Sequence, residues 1–190
     1  MGERQEFERQ EEYLEKGRDS LVARLRAGNH EAASELVDIY YEQIYLFMRR
    51  FGHGREASED LTQESFIHAW QHIGQLRSSR ALNSWLYRIA SNVSKRYWRR
   101  HKVKEIAGIE GFDVPADDGE TESEKIERLE ELDRLRKAVV GLPIKLRQAV
   151  VLHYMQHLTI SEAAEAADVR EGTFKSRLNR ALTALRRQII

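Results

Sequence analysis

The sequence predicts an all-α protein made of two small helical domains that are joined by an acidic flexible linker. The chain of 190 residues contains 11 glycines and two prolines, so few residues interrupt its many Glu-, Arg-, Leu- and Ala-rich stretches, which favour helices. In several of these stretches apolar residues recur at spacings of three and four, as on one face of a helix. Residues 105–125 break this pattern with eight acidic residues, three glycines and one proline, a composition typical of a linker.

The same composition argues against several classes of protein. The chain has no cysteine, which excludes a disulfide framework and a Cys-ligated zinc site. Its N-terminus is charged from the third residue and it has no apolar run of about 18 residues, so we expect no secretory signal, no membrane insertion of its own and a cytoplasmic location. Glycine-rich phosphate loops and nucleophile motifs are absent, so we expect no enzyme activity, no catalytic residue and no cofactor. The pairs His68/His72 and His153/His157 lack a third ligand, so we expect no metal site.

The net charge of zero conceals four blocks of opposite sign. Residues 1–74 carry nine basic and 15 acidic residues, and residues 75–104 carry nine basic and none acidic. Residues 105–133 then carry two basic and 12 acidic residues, and residues 134–190 carry 11 basic and four acidic. Two segments of net charge +9 and +7 therefore remain available to a polyanion.

The first domain contains a helix with an acidic face, predicted within residues 56–73. Glu56, Asp60, Gln63 and Glu64 fall within an arc of about 100° at 100° per residue. Such a face is either simply solvated or a docking surface for a basic protein partner.

The next predicted helix, Asn83–Lys104, combines cations with aromatic residues. Arg88, Asn92, Lys95 and Arg99 share its polar face, and we expect Trp85, Tyr87 and Trp98 to flank that face. Cations follow phosphates and aromatic rings stack on unpaired bases, so this mixture favours single-stranded nucleic acid. The alternative is that the aromatic residues pack at the edge of the core.

The second domain has the pattern of a helix-turn-helix. Thr159 and Glu162 form a predicted capping box that opens a short helix, Ile160–Ala167. A tight turn at Asp168 precedes a longer helix from about Glu171, whose apolar face contains Phe174 and Leu178. The second helix of such a motif enters the major groove. The alternative is a helical hairpin with a solvated basic face.

Three motifs in this order resemble the extracytoplasmic-function (group 4) sigma factors, which are bacterial transcription initiation factors. The motifs are Asp60-Leu61-x-Gln63-Glu64-x-Phe66, Ser84-Trp85-Leu86-Tyr87-Arg88-Ile89-Ala90-x-Asn92 and Glu171-Gly172-Thr173-Phe174-Lys175-Ser176-Arg177-Leu178. The resemblance divides the chain into an N-terminal extension (1–18), a sigma region 2 domain (19–104), the linker (105–125) and a sigma region 4 domain (126–190). It implies core RNA polymerase, promoter DNA and an anti-sigma factor as partners, and a role in a stress response.

The resemblance also implies three sets of site residues. The polymerase-binding set is Glu56, Asp60, Leu61, Gln63 and Glu64. The set for the unpaired −10 strand is Arg77, Ser78, Ser79, Arg80, Trp85, Arg88, Asn92, Lys95, Arg96 and Arg99. The set for the duplex −35 element is Thr173, Lys175, Ser176, Arg177, Asn179 and Arg180.

This chain departs from the family pattern at one corner, where Asp168 replaces the usual Gly and Arg170 replaces the usual Ser N-cap. Two rival functions are a dimeric helix-turn-helix repressor or activator and an RNA-binding adaptor. A repressor leaves the acidic helix and the Trp85–Arg100 segment unexplained. An RNA adaptor leaves the recognition helix unexplained.

Overall fold

The computed structural model describes residues 16–101 and 122–189, and within these ranges the protein contains α-helices, two 3₁₀ turns, one π-helical turn and no strand. The helices are α1 (described over 16–26), α2 (His30–Arg50), α3 (Arg55–His72), α4 (Leu82–His101), α5 (Glu122–Gly141), α6 (Ile144–Val150), α7 (Ile160–Ala166) and α8 (Glu171–Ile189). The all-α prediction is thereby confirmed. None of these helices is both long and apolar enough to span a bilayer.

Helices α1–α4 form the N-terminal module, and its first turn shows why the chain bends there. Gly28 follows α1 with φ +76°, a left-handed conformation that glycine adopts without steric cost. Asn29 then caps α2, because its side-chain oxygen accepts a hydrogen bond from the Ala32 N–H at 2.9 Å. Helix α2 buries Leu36 and Ile44 on the face that meets α3 and α4.

Helix α3 approaches its neighbours through small hydroxyl residues. Ser58, Thr62 and Ser65 are buried, and their hydroxyls do not lack partners. Thr62 donates to the Ser58 carbonyl and Ser65 to the Leu61 carbonyl, each at 2.7 Å. The Ser58 hydroxyl donates to the His53 carbonyl just before the helix, at 3.3 Å. Because these side chains are short and their hydrogen bonds are made locally, α3 packs closely on α2 and α4 and leaves its acidic residues on the other side.

Helices α5–α8 form the C-terminal module. Helix α5 already begins at Glu122, so the last residues of the predicted linker are helical. Pro143 occupies the N-cap position of α6. A π-helical turn, Val151–Met155, continues α6, and the module closes around the fully buried Phe174 of α8.

The two modules pack against each other and share one apolar core. Helix α4 lies on α7, and the buried residues of both modules form a single cluster. The two domains predicted from the sequence are therefore closed on each other in this structure. The predicted N-terminal extension (1–18) and the predicted linker (105–125) lie mostly outside the described residues.

Candidate nucleic-acid interface

The acidic face of α3 points away from the core, as its arc predicted. Glu56, Asp60 and Gln63 are exposed and Glu64 is half-buried. Leu61, which belongs to the same predicted set, is 4% exposed and packs in the core. Leu61 therefore packs α3 against the core, and it also borders a surface depression beside Glu56 and Asp60.

Glu64 of this face is paired with Arg96 of α4. The Arg96 guanidinium donates to Glu64 Oε1 at 2.6 Å and lies 2.8 Å from His68 Nε2. His68 Nε2 is itself 3.6 Å from the same carboxylate oxygen. One residue of the predicted polymerase-binding set thus holds one residue of the predicted −10 set.

The loop before α4 carries four residues of the predicted −10 set. Arg77, Ser78 and Arg80 are exposed. Ser79 donates a hydrogen bond to the Asp19 carboxylate, and the Ser78 hydroxyl accepts from the Arg80 N–H at 3.3 Å. Since Asp19 lies on α1, this bond ties the loop to the start of the module.

Two aromatic residues of α4 are buried, whereas the sequence predicted that they flank the polar face of the helix. Asn92 and Arg99 are exposed, and Arg88, Lys95 and Arg96 are half-buried. Trp85 and Tyr87, expected to flank this polar face, are only 3% and 2% exposed. Burial raises the pKa of the Tyr87 hydroxyl, and the position of both rings agrees with the core-packing alternative.

The helix-turn-helix has the predicted local geometry. Thr159 and Glu162 form the capping box of α7. Asp168 follows α7 with φ 57°, the left-handed conformation that Asp tolerates better than most residues. Arg170 directly precedes α8, and its carbonyl accepts the Phe174 N–H at 3.0 Å.

The predicted −35 set lies mostly on the open side of α8. The exposed members are Thr173, Lys175, Ser176, Asn179 and Arg180. Arg177 is half-buried and turns instead toward the cleft between the modules, which Lys95, Arg96 and Arg99 also line. Residues of the −10 and −35 sets therefore meet in one cleft.

Four polar contacts across the modules were not predicted from the sequence. Arg147 donates to the Phe51 carbonyl at 2.8 Å. Arg50 donates to the Met155 carbonyl at 2.7 Å. Ser84 and Tyr87 of α4 donate to Glu165 and Gln156, each at 2.7 Å. The paired residues are 69 to 105 positions apart, so no local pattern announces them.

Arg147 and His53 form the centre of this interface. Arg147 also donates to the carbonyls of Val140 and Leu142, and burial lowers its pKa to about 10. His53 is 1% exposed, stacks on Trp98 at 4.9 Å and lies 2.7 Å from the Ser94 hydroxyl. Burial, with a smaller contribution from the Arg147 charge, lowers the pKa of His53 to about 3. The position of His53 between Gly52 and Gly54 is the one local feature of the sequence that could have indicated this role.

The described residues contain no group of three or more His, Asp or Glu side chains placed to hold a metal ion. Charge distinguishes three surfaces of the described residues: the acidic face of α3, the cationic face of α4 and the polar face of α8.

Comparison with known proteins identifies the family to which the chain is similar. Residues 36–103 match the family model described as Sigma-70 region 2, and residues 132–185 match Sigma-70 region 4. The chain is 33% identical to ECF RNA polymerase sigma factor SigW of Bacillus subtilis over 88% of this chain and 94% of that protein. It is 32% identical to the ECF RNA polymerase sigma-E factor of Haemophilus influenzae over 90% of this chain and 94% of that protein.

A solved structure of CnrH in complex with the cytosolic domain of CnrY has a similar fold, with a TM-score of 0.64 and 24% identity over 87% of this chain and 92% of that one. The two matched regions fall on the two modules. The matches to the two sequence relatives each cover 94% of the relative's length. This chain belongs to the family of ECF RNA polymerase sigma factors.

Proposed function

We propose that this protein binds core RNA polymerase and directs promoter-specific initiation of transcription, and that it performs no catalysis itself. The observation that carries the proposal is the presence, in one chain, of an outward acidic helix, a cation-rich helix and a helix-turn-helix with an open polar face. Each rival function uses only part of this set. Family membership supports polymerase and promoter DNA as the partners, and the cytoplasm as the place of action.

The acidic face of α3 is the proposed polymerase-docking surface. Glu56, Asp60 and Gln63 are exposed, and Glu56 and Asp60 border a surface depression together with Arg100. Charge complementarity of this kind steers association and fixes register more than it adds affinity. A basic surface on the polymerase is therefore the proposed counterpart.

The two DNA-reading roles fall on α8 and α4. The exposed Lys175, Asn179 and Arg180 are proposed to contact base edges and phosphates of duplex −35 DNA. Arg88, Asn92 and Arg99, together with the Arg77–Arg80 loop, are proposed to hold the unpaired −10 strand. Trp85 remains a predicted contact, which requires the buried ring to become accessible.

The closed arrangement of the modules does not permit both roles at once. The −10 and −35 positions lie about 25 base pairs apart, which is about 85 Å at about 3.4 Å per base pair. Arg177 and Lys95 line a single cleft, so the two reading surfaces must separate before they contact both elements. The approximately 20 residues between α4 and α5 span at most about 70 Å, which, with the width of the modules, suffices for that separation.

An anti-sigma factor is the proposed inhibitor. The support is family membership and the solved structure of the sigma factor RpoE in complex with the anti-sigma factor NepR from Bartonella quintana, with which this chain shares the fold alone.

Transcription of a randomised promoter library tests the proposal. Core polymerase is incubated with the library, with and without this protein, and the transcribed templates are sequenced. We expect transcripts only with the protein, from templates that share two elements separated by about two helical turns or more. Tight binding of the protein alone to a palindromic duplex, with no effect on core polymerase, would contradict the proposal and favour the repressor.

A further inference from the structure

The two modules enclose a cleft of about 820 Å³ between α4, α6 and the corner that joins α7 to α8. Six basic side chains line it, namely Lys95, Arg96, Arg99, Lys145, Arg147 and Arg177, together with the single acid Asp168. Three helices from both modules supply these cations, so the cluster exists only while the modules are closed.

Most of this positive charge has no counter-charge among the described residues. Arg96 is paired with Glu64, whereas Arg147 bonds only to neutral carbonyl groups. The six cations face two carboxylates, those of Asp168 and Glu64, so the net charge of the cluster is about +4. Burial first, and then the charges of Arg177 and Lys145, lower the pKa of the Lys95 ammonium, and Asp168 offsets part of this effect.

We propose that the cleft is a binding site for a compact polyphosphate anion, meaning two or more linked phosphate groups. One phosphate carries about −1.5 to −2 at neutral pH, which offsets only about half of the excess charge. Linked phosphates supply the remainder within a small volume. Lysine and arginine are the usual phosphate ligands, as a point charge and a fork of donors respectively.

The aromatic contacts in the cleft favour a small anion over single-stranded nucleic acid. Trp98 lines the cleft, but its ring is already stacked on His53 at 4.9 Å. The Arg147 guanidinium also lies 5.6 Å from the Trp98 ring centroid. Single-stranded nucleic acids gain much of their affinity from bases that stack on open aromatic faces. Among the described residues, the cleft offers positive charge but no open aromatic face, which favours a small anion.

Such an anion binds the closed form and so shifts the population of conformers toward it. Because the closed form brings the two predicted DNA-reading surfaces together, the bound anion lowers promoter-dependent transcription. This inhibition rests on the proposed function, whereas binding to the cleft does not. A failure of one is therefore distinguishable from a failure of the other.

Isothermal titration calorimetry of the full chain with sodium tripolyphosphate tests the binding site. We expect one tripolyphosphate per chain, with an affinity at least about tenfold above that of orthophosphate at equal ionic strength, since each added charged contact is worth about tenfold. Lys145→Gln and Arg177→Gln each weaken binding by about tenfold. Arg187→Gln removes an exposed charge from α8 outside the cleft and changes affinity less than twofold.

Two results overturn the site. One is equal affinity for tripolyphosphate and orthophosphate, and the other is an equal loss in all three variants, which indicates non-specific attraction. An oligothymidine that binds more tightly than tripolyphosphate, with the same dependence on Lys145, would assign the cleft to nucleic acid instead.

A locked variant links the site to the closed form. Ser84→Cys with Glu165→Cys replaces the bonded pair of α4 and α7 in a chain that has no other cysteine. We expect the oxidised chain to bind tripolyphosphate at least as tightly as the reduced chain. Binding confined to the reduced chain would overturn the proposal. In transcription, tripolyphosphate inhibits the natural protein, and Lys145→Gln, which lies outside the predicted DNA contacts, is resistant.

Discussion

The Glu64 carboxylate accepts a hydrogen bond from the Arg96 guanidinium at 2.6 Å, and this bond joins α3 to α4. The two side chains are 40% and 33% exposed, so solvent screens the pair only in part. A residue of the predicted polymerase-binding surface is thus coupled to a residue of the predicted −10 surface, with His68 in contact with both.

This pair predicts non-additive effects on stability. In a double-mutant cycle with Glu64→Gln and Arg96→Gln, we expect a coupling energy of about 1 kcal/mol in urea unfolding, at the upper end for partly exposed pairs. The control is Arg55 with Glu59, a more exposed pair within α3 at 3.2 Å, for which we expect about 0.3 kcal/mol. Additive effects of the Glu64 and Arg96 substitutions would show that the pair does not couple the helices.

The neutral His53 predicts a specific loss of stability in mild acid. Its pKa is about 3 in the folded chain against an ordinary value of 6.5, so the unfolded chain takes up the proton first. Stability is therefore fully present above pH 6.5 and declines as pH falls from 6.5 toward 3. At 1.36 kcal/mol per pH unit, the His53 contribution to the loss is about 2 kcal/mol by pH 5.

The measurement is the free energy of urea unfolding between pH 7 and 5. His53→Gln removes most of this slope, and His72→Gln, at an exposed position, leaves it unchanged. A slope that is the same in His53→Gln as in the natural chain would assign the acid sensitivity to other groups.

Two glycines with positive φ allow the stability cost of backbone strain to be distinguished from the cost of disturbing the packing between the modules. Gly52 has φ +97°, and a Cβ there would lie 3.1 Å from Arg147 Nη1 and 3.2 Å from Val140 Cγ2. Gly28 has φ +76° and open space around it. We expect Gly28→Ala to cost about 1–2 kcal/mol from conformation alone.

Gly52→Ala should cost about 1–2 kcal/mol more, because the added methyl also displaces Arg147 and Val140. Thermal or urea unfolding of both variants measures the difference. Equal losses would indicate that the C-terminal module does not rest on Gly52 in solution.

Much of each module could be predicted from sequence because its signals are local. The capping box of Thr159 and Glu162, the left-handed Asp168 and the start of α8 at Glu171 all depend on neighbouring residues, and the structure confirms them. The burial of Tyr87 agrees with the core-packing alternative, but its hydroxyl partner could not be predicted, because Gln156 lies in the other module. The role of Arg147 was missed for the same reason, since a carbonyl acceptor such as that of Phe51 leaves no signature in a sequence.

Substitutions on α8 and α4 test the proposed division of DNA reading. Arg180→Ala should weaken binding of holoenzyme to duplex promoter by about tenfold to hundredfold, since a lost base-edge contact costs about 1–3 kcal/mol. Arg88→Ala should weaken binding to a pre-melted promoter more than to the duplex. Electrophoretic mobility with both templates measures this, and equal effects of both substitutions on both templates would contradict the division.

We expect that the closed chain must open before it directs initiation, and the locked variant shows whether it does. Promoter-dependent transcription by core polymerase is measured with the oxidised Ser84→Cys/Glu165→Cys chain, before and after addition of a reductant. We expect transcription close to the level of core polymerase alone when the disulfide is formed, recovery on reduction, and no effect of oxidant on Ser84→Cys alone. Full activity of the oxidised chain would contradict it, because the two reading surfaces would then act without separating.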